Sequence, residues 1–394
     1  MSFRRIKPYI VIALCLASAV MIWWVASAGP ATVYRIVRYN FSGIDDHRIF
    51  PHRQLKSSPR PFRFRERIDP QLDHLGVTVG GRKDVPLAGL LAGSGTTAFL
   101  VIRDDVLLYE KYFGGYERGI PSLSFSMAKS FLSLLVGCAL DDGFLRSIDQ
   151  PVTDFVPELA PRGFAAVTLK HLLRMRSGMD YSENDNPFGI HARFYYTNRL
   201  EEEILKLRLL EPPGGRFAYR SGDAFLLTLA LRRALGGKSI TEYTQERIWT
   251  PLGMEYDGSW SIDHAPGGLE KTGCCLAATA RDFAKFGRLY LNRGIWDGRR
   301  IVSDGWVADS TEFDSRAGAT REYGYMWWPV VPGRPAFMAT GHLGQFLYVD
   351  PAAKVIIVRL GEGTGGMSRE RWKELFLSLS TAIPEIPTER SASR

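Results

Sequence analysis

The chain has 394 residues, of which 45% are apolar and 23% charged. That composition excludes a mostly disordered chain, and four cysteines exclude a disulfide-built scaffold. The formal charge of +8 sits at one end: residues 1–67 carry twelve Lys or Arg against three Asp or Glu, and the near-neutral remainder excludes a basic nucleic-acid-binding face on the body.

Arg4, Arg5 and Lys7 precede an uncharged run from Pro8 to Tyr34. Its apolar part, residues 9–28, matches the roughly 20 residues a helix needs to cross a membrane. Trp23 and Trp24 suit a membrane interface. A cleaved signal peptide is the alternative, because Ala26-Ser27-Ala28 has the A-x-A pattern. An N-terminal transmembrane helix within residues 1–30 is expected, with the lipid bilayer as partner through residues 9–28. The positive-inside rule then mildly favours a cytoplasmic amino terminus. Residues 31–75, with Pro51, Pro59, Pro61 and Pro70 among many arginines, read as an irregular stalk. Its arginines are either solvated or in contact with anionic headgroups.

The body follows at residues 76–385, with a tail at 386–394. Residues 96–112 form two apolar runs around Arg103-Asp104-Asp105, a hairpin signal. Apolar periodicity predicts helices over 127–140, 169–175, 200–209, 224–235, 239–249 and 280–291. Short β-rich runs follow at 337–340, 346–349 and 354–360, and a last helix at 369–379. The expected fold is α+β, with one antiparallel sheet built from both chain ends, flanking helices and an inserted, mostly helical region.

Ser126-Met127-Ala128-Lys129 is the one S-x-x-K in the chain, and it opens an apolar helical stretch. Residues i and i+3 share a helix face. Burial lowers a lysine's pKa, and a neutral amine can then take a serine's proton. The plain alternative is a capping serine beside a snorkelling lysine. Tyr219, after the turn Pro212-Pro213-Gly214-Gly215, is placed to relay a proton to a leaving group. Tyr196, in Tyr196-Thr197-Asn198, is its rival, although Asn198 reads as a cap for the acidic helix start that follows. Gly341-His342-Leu343-Gly344-Gln345 leads into a strand, where glycines admit a substrate close to the backbone. The Gln345 N–H is a candidate oxyanion donor. Lys271-Thr272-Gly273 leads into a helix instead of a terminal strand pair and reads as a decoy. Cys274 and Cys275 are adjacent and are not expected to bridge each other. No metal-ligand spacing, Walker A sequence or G-x-S-x-G elbow occurs, and no cofactor is implied.

Six stretches in order, FLVIRDDVLLYEKYF, SFSMAKSF, VTLKHLLRMRSGMDY, PPGGRFAYRSGDAFLL, ATARDFAKFGRLYLNRG and GHLGQFLYVDP, resemble the serine hydrolases of the class C β-lactamase superfamily. That group includes 6-aminohexanoate-dimer hydrolases and family VIII carboxylesterases. The resemblance spans about residues 76 to 380 and implies a β-lactamase/transpeptidase-like fold. It implies Ser126 as acylated nucleophile, Lys129 as base, Tyr219 as proton relay, and the N–H groups of Ser126 and Gln345 as oxyanion hole. Ser221 stands where β-lactamases carry Asn, and His342-Leu343-Gly344 replaces their K-T-G. Those departures favour small amide or ester substrates over β-lactams and peptidoglycan, whose hydrolysis is the alternative function. A catalytically silent binding protein is the alternative of another class. Ser221, His342, Gly344, Asp180, Tyr181, Glu183 and Tyr196 are the candidate substrate contacts. The resemblance also implies a bacterial inner-membrane location with the catalytic domain on the exported side. Oligomeric state is not legible.

Overall fold

The computed structural model describes residues 28–313, 322–331 and 333–385, together with Tyr9, Cys15, Leu16, Ala19, Val25 and Ala26. The elements that frame the site run in chain order as follows. Helix α1 (Pro30–Tyr39) leads to strands β1 (His52–Leu55), β2 (Arg65–Glu66), β3 (Thr96–Arg103), β4 (Val106–Tyr112) and β5 (Ser122–Leu123). Helices α2 (Ala128–Asp141), α3 (Ile190–Tyr196), α4 (Leu200–Leu205) and α5 (Ser221–Ala234) follow. Next come β6 (Gly258–Ser261), β7 (Leu276–Ala278) and α6 (Ala280–Leu291). The chain closes with β8 (Trp328–Pro329), β9 (Phe337–Gly341), β10 (Gln345–Asp350), β11 (Val355–Gly361) and α7 (Arg369–Ala382).

The main sheet has the order β8-β9-β10-β11-β3-β4-β2. Its pairs are antiparallel except β2 with β4. The two chain ends meet where β11 pairs with β3, with Val358 opposite Leu100 and Arg359 opposite Phe99. Every residue of β3 is buried, because the sheet is covered on both faces. Alternation divides its side chains. Leu100 and Ile102 face a core shared with α2 and α6, whereas Phe99 and Val101 face a second core closed by Trp372, Phe376 and Leu379 of α7. The antiparallel sheet from both ends, the hairpin and the inserted helices are as the sequence predicts.

The expected transmembrane helix is not supported. Among the described residues no helix is long and apolar enough to cross a membrane. Most of residues 1–27, including most of the expected span, lies outside the described residues, as does the tail 386–394. The expected bilayer partner and single-pass inner-membrane location are withdrawn with it.

Residues 31–75 are also not the irregular segment that their prolines suggest. Helix α1 carries Pro30 at its first turn, where no N–H bond is lost. It buries Thr32 and Ile36, and Arg35 donates to the Tyr196 carbonyl at 3.2 Å. Strand β1 joins a second, smaller sheet of order β1-β6-β7-β5. Its sequence HRQL hides the strand, since only Leu55 is buried. Arg53 reaches the buried Glu270 carboxylate at 2.7 Å. At least Arg35 and Arg53 thus serve protein contacts.

Helix α2, which opens beside Ser126, is seated by its aromatic contacts. The Phe131 ring stacks on Phe286 of α6 with centroids 3.7 Å apart. Phe286 in turn lies parallel to Trp327 at 5.6 Å. Phe131→Ala is expected to lower stability by about 3–5 kcal/mol, the usual cost of an aromatic-sized cavity. The check is the shift in a urea unfolding midpoint at unchanged m-value.

Candidate active site

Ser126 lies in a 3₁₀ turn, Phe125–Met127, that runs directly into α2. Phe125 just before it has φ 45, a left-handed conformation that costs a bulky residue energy. Its ring meets the His342 ring edge-on at 5.4 Å. Gly341 tightens the same junction. A Cβ there would collide with the Ser124 carbonyl. The glycine expected to admit substrate instead admits the backbone that carries the nucleophile candidate.

Lys129 sits one turn on, almost wholly buried. Its Nζ donates to Ser126 Oγ at 2.8 Å and to the Gly273 carbonyl at 2.6 Å. Burial lowers its pKa to about 8, and the Glu183 charge pulls the other way. The Tyr219 ring lies 5.2 Å from this amine. Burial raises the Tyr219 phenol above its ordinary value and the Glu183 charge adds to that, while a hydrogen-bonding contact with Ser126 opposes both. Hydroxyl, amine and phenol therefore share one locus.

Tyr219 is held in an aromatic wall. Trp328 lies 5.4 Å from it and Tyr323 meets it edge-on at 5.9 Å, with Phe217 5.5 Å from Tyr323. The Arg369 guanidinium caps Trp328 at 4.0 Å. No pattern in the sequence joins these residues, which come from three distant segments.

Among the candidate substrate contacts, Glu183 is held through both carboxylate oxygens. It accepts the Ser221 N–H in a very short bond and pairs with His191 at 3.1 Å. The Tyr181 hydroxyl meets the same His191 nitrogen at 3.2 Å. Tyr181 and Ser221 are buried. Asp180 is exposed, and its backbone N–H goes to Arg208. Tyr196 is not brought into this cluster. Its buried ring packs on Tyr195 and Phe50, and its hydroxyl donates to the Tyr39 carbonyl at 2.7 Å. The expected Asn198 cap is also replaced, since Asp263 accepts the Leu200 N–H at 2.7 Å and starts α4.

His342 and Gly344 form the turn between β9 and β10. The Gln345 side chain is locked to Gly361, donating at 2.6 Å and accepting at 3.1 Å. Its backbone N–H meets the His342 carbonyl.

The K-T-G stretch divides in two. Lys271 is buried and donates to the carbonyls of Phe194, Tyr195 and Thr197, closing the end of α3. Burial takes its amine down to about 7. Gly273, however, holds Lys129 through its carbonyl. A backbone oxygen has no signature in the sequence. Cys274 and Cys275, next in line, are disulfide-bonded, contrary to expectation.

The beta-lactamase family model matches residues 88–379. The chain belongs to the beta-lactamase family of serine hydrolases. It is 29% identical over 286 residues to the 6-aminohexanoate-dimer hydrolase of Paenarthrobacter ureafaciens, covering 67% of this chain and 72% of that one. A structure from Bacillus anthracis, named as a candidate 6-aminohexanoate-dimer hydrolase, matches with TM-score 0.76 and 26% identity over 86% of this chain and 92% of its own. A family VIII carboxylesterase shares the fold, with TM-score 0.56 and 17% identity over 72% and 91%.

The position of Glu183 yields a pH test. Activity that needs neutral Lys129 should rise with pH through about 8. Glu183 stabilises the ammonium, so Glu183→Gln should lower the lysine's pKa and move that rising limb toward acid. The check is the pH profile of the acylation rate in both proteins.

Proposed function

We propose that this serine hydrolase cleaves small amides or esters through an acyl-enzyme on Ser126. The observation that carries the reading is the desolvated Lys129 amine 2.8 Å from the Ser126 hydroxyl, with the Tyr219 phenol beside both. Neutral Lys129 takes the hydroxyl proton as Oγ attacks the substrate carbonyl. The tetrahedral oxyanion is met by the backbone N–H groups of Ser126 and Gln345. Tyr219 passes a proton to the departing amine or alcohol, the C–N or C–O bond breaks, and water then releases the acid by the reverse relay.

Amides and esters are favoured because the relatives are named as hydrolases of such bonds. His342-Leu343-Gly344 stands where β-lactamases carry K-T-G, so the cation that would hold a β-lactam carboxylate is missing there, and Lys271 of the decoy K-T-G is engaged in closing α3. Asp180, Tyr181, Glu183, Ser221, His342 and Gly344 are the proposed substrate-side residues. Glu183 and His342 are exposed and offer side chains to a ligand, while Tyr181 and Ser221 are buried.

A fluorophosphonate probe should label the wild type at Ser126 and leave Ser126→Ala unlabelled, with p-nitrophenyl ester turnover reduced at least about a thousandfold. Equal labelling of both proteins would end the reading. Tyr219→Phe should keep labelling but lower kcat by roughly 10²-fold, the usual contribution of a positioned proton donor.

A further inference from the structure

Arg359 lies on the face of β11 that carries Val355 and Ile357 into the core beneath α7. Its side chain is wholly buried. A buried charge without a partner is costly, so such a group needs a full set of hydrogen bonds. All five of its N–H bonds are in use, and every acceptor is uncharged. Nε donates to Thr96 Oγ1 at 3.0 Å. Nη1 donates to the Leu343 carbonyl at 3.2 Å and the Gly344 carbonyl at 2.6 Å. Nη2 donates to the carbonyls of Ser94 at 2.8 Å and Gly363 at 2.7 Å. Trp372 lies against the guanidinium at 4.3 Å. Burial takes its pKa down to about 9, which still leaves it charged at neutral pH.

The shortest of these bonds falls on the turn that faces the nucleophile. Gly344 has φ 78, and a Cβ there would collide with Nη1. The turn and the guanidinium fit together only because residue 344 has no side chain. The Gly344 carbonyl and the Gln345 N–H belong to one peptide plane and point in opposite directions. A cationic donor gripping the oxygen therefore sets where the N–H points. It also polarises the amide, which strengthens the N–H as a donor. In the resting turn that N–H meets the His342 carbonyl. A substrate oxyanion would enter as the second acceptor of a three-centre bond.

We infer that Arg359 is a positioning residue for acyl transfer, acting by fixing and polarising the Gly344–Gln345 peptide from behind. The inference rests on the proposed oxyanion role of the Gln345 N–H and extends it to the cation that supports it. Arg359 touches no substrate. It does the work of orientation that a charged side chain on the open face of the strand would do by direct contact.

The test is an acyl-enzyme formed from a slowly deacylating ester carrying a ¹³C carbonyl, read by infrared difference spectroscopy in wild type, Arg359→Met and Arg359→Lys. Arg359→Met should lower kcat roughly 10- to 100-fold, the lower part of the range for a lost oxyanion donor, with KM changed less than about threefold. Its acyl carbonyl stretch should move to higher wavenumber, with Arg359→Lys in between. A slower variant whose stretch matches the wild type would overturn the inference, because that is a merely structural defect. Should Arg359→Met fail to fold, Arg359→Lys and the wild type decide. The Gln345 amide proton should move downfield when Ser126 is phosphonylated, and a stationary signal overturns the inference. If the wild type forms no Ser126 adduct at all, the proposed function itself falls. If the adduct forms and Arg359 leaves its carbonyl untouched, only the inference falls.

Discussion

A single amine stripped of water organises this site. Lys129 is sealed at the start of α2, and among the described residues its amine bonds to a serine hydroxyl and a backbone carbonyl and to no carboxylate. Burial disfavours its charged form, so near neutral pH it is poised between donating and accepting. Every neighbour reflects that constraint. A bonded acid would return the lysine to the ammonium form, and Glu183, the anion that influences it, is already engaged with Ser221 and His191. The Tyr219 ring covers the amine with an aromatic face instead of a second charge.

The same economy of charge recurs at the far side of the site. Arg359 is another buried cation neutralised by dipoles alone. Lys271 is a buried amine that closes a helix through three carbonyls, with burial lowering its pKa to about 7 and the Asp263 charge opposing that. Buried cations satisfied by carbonyls fix backbone geometry without bringing a carboxylate to the bond between Lys129 and Ser126. Arg281 differs, since the Glu110 carboxylate answers it at 2.6 Å in the joint between sheet and α6.

Much of the fold was legible because its signals are local. The run TTAFLVIR marks a strand buried on both sides, and the spacing of Ser126 and Lys129 states their shared helix face. The turn before Tyr219 singled it out over Tyr196, and its ring lies 5.2 Å from the Lys129 amine. What stayed hidden depends on tertiary contact. The Gly273 carbonyl has no residue signature, and the aromatic wall draws on separate segments. Strand β1 is polar along most of its length because its partners, not its own apolar period, hold it. Tyr196 was attractive as a motif, yet its hydroxyl is consumed by the segment around Tyr39. The apolar amino-terminal run invited a membrane reading that no helix among the described residues supports. One overlooked clue was present in VIIVRLG, where a strand otherwise buried on both faces places a guanidinium in apolar company.

The pairing of β3 with β11 also bears on how the protein is made. During synthesis the first hairpin emerges long before its inner partner exists. Until the last strands leave the ribosome, one of the most apolar edges in the molecule has nothing to pair with. Such an edge is a template for sticking to other chains. Assembly of the central layer is therefore a late, nonlocal event, and the nascent chain must be kept apart from its own kind while it waits.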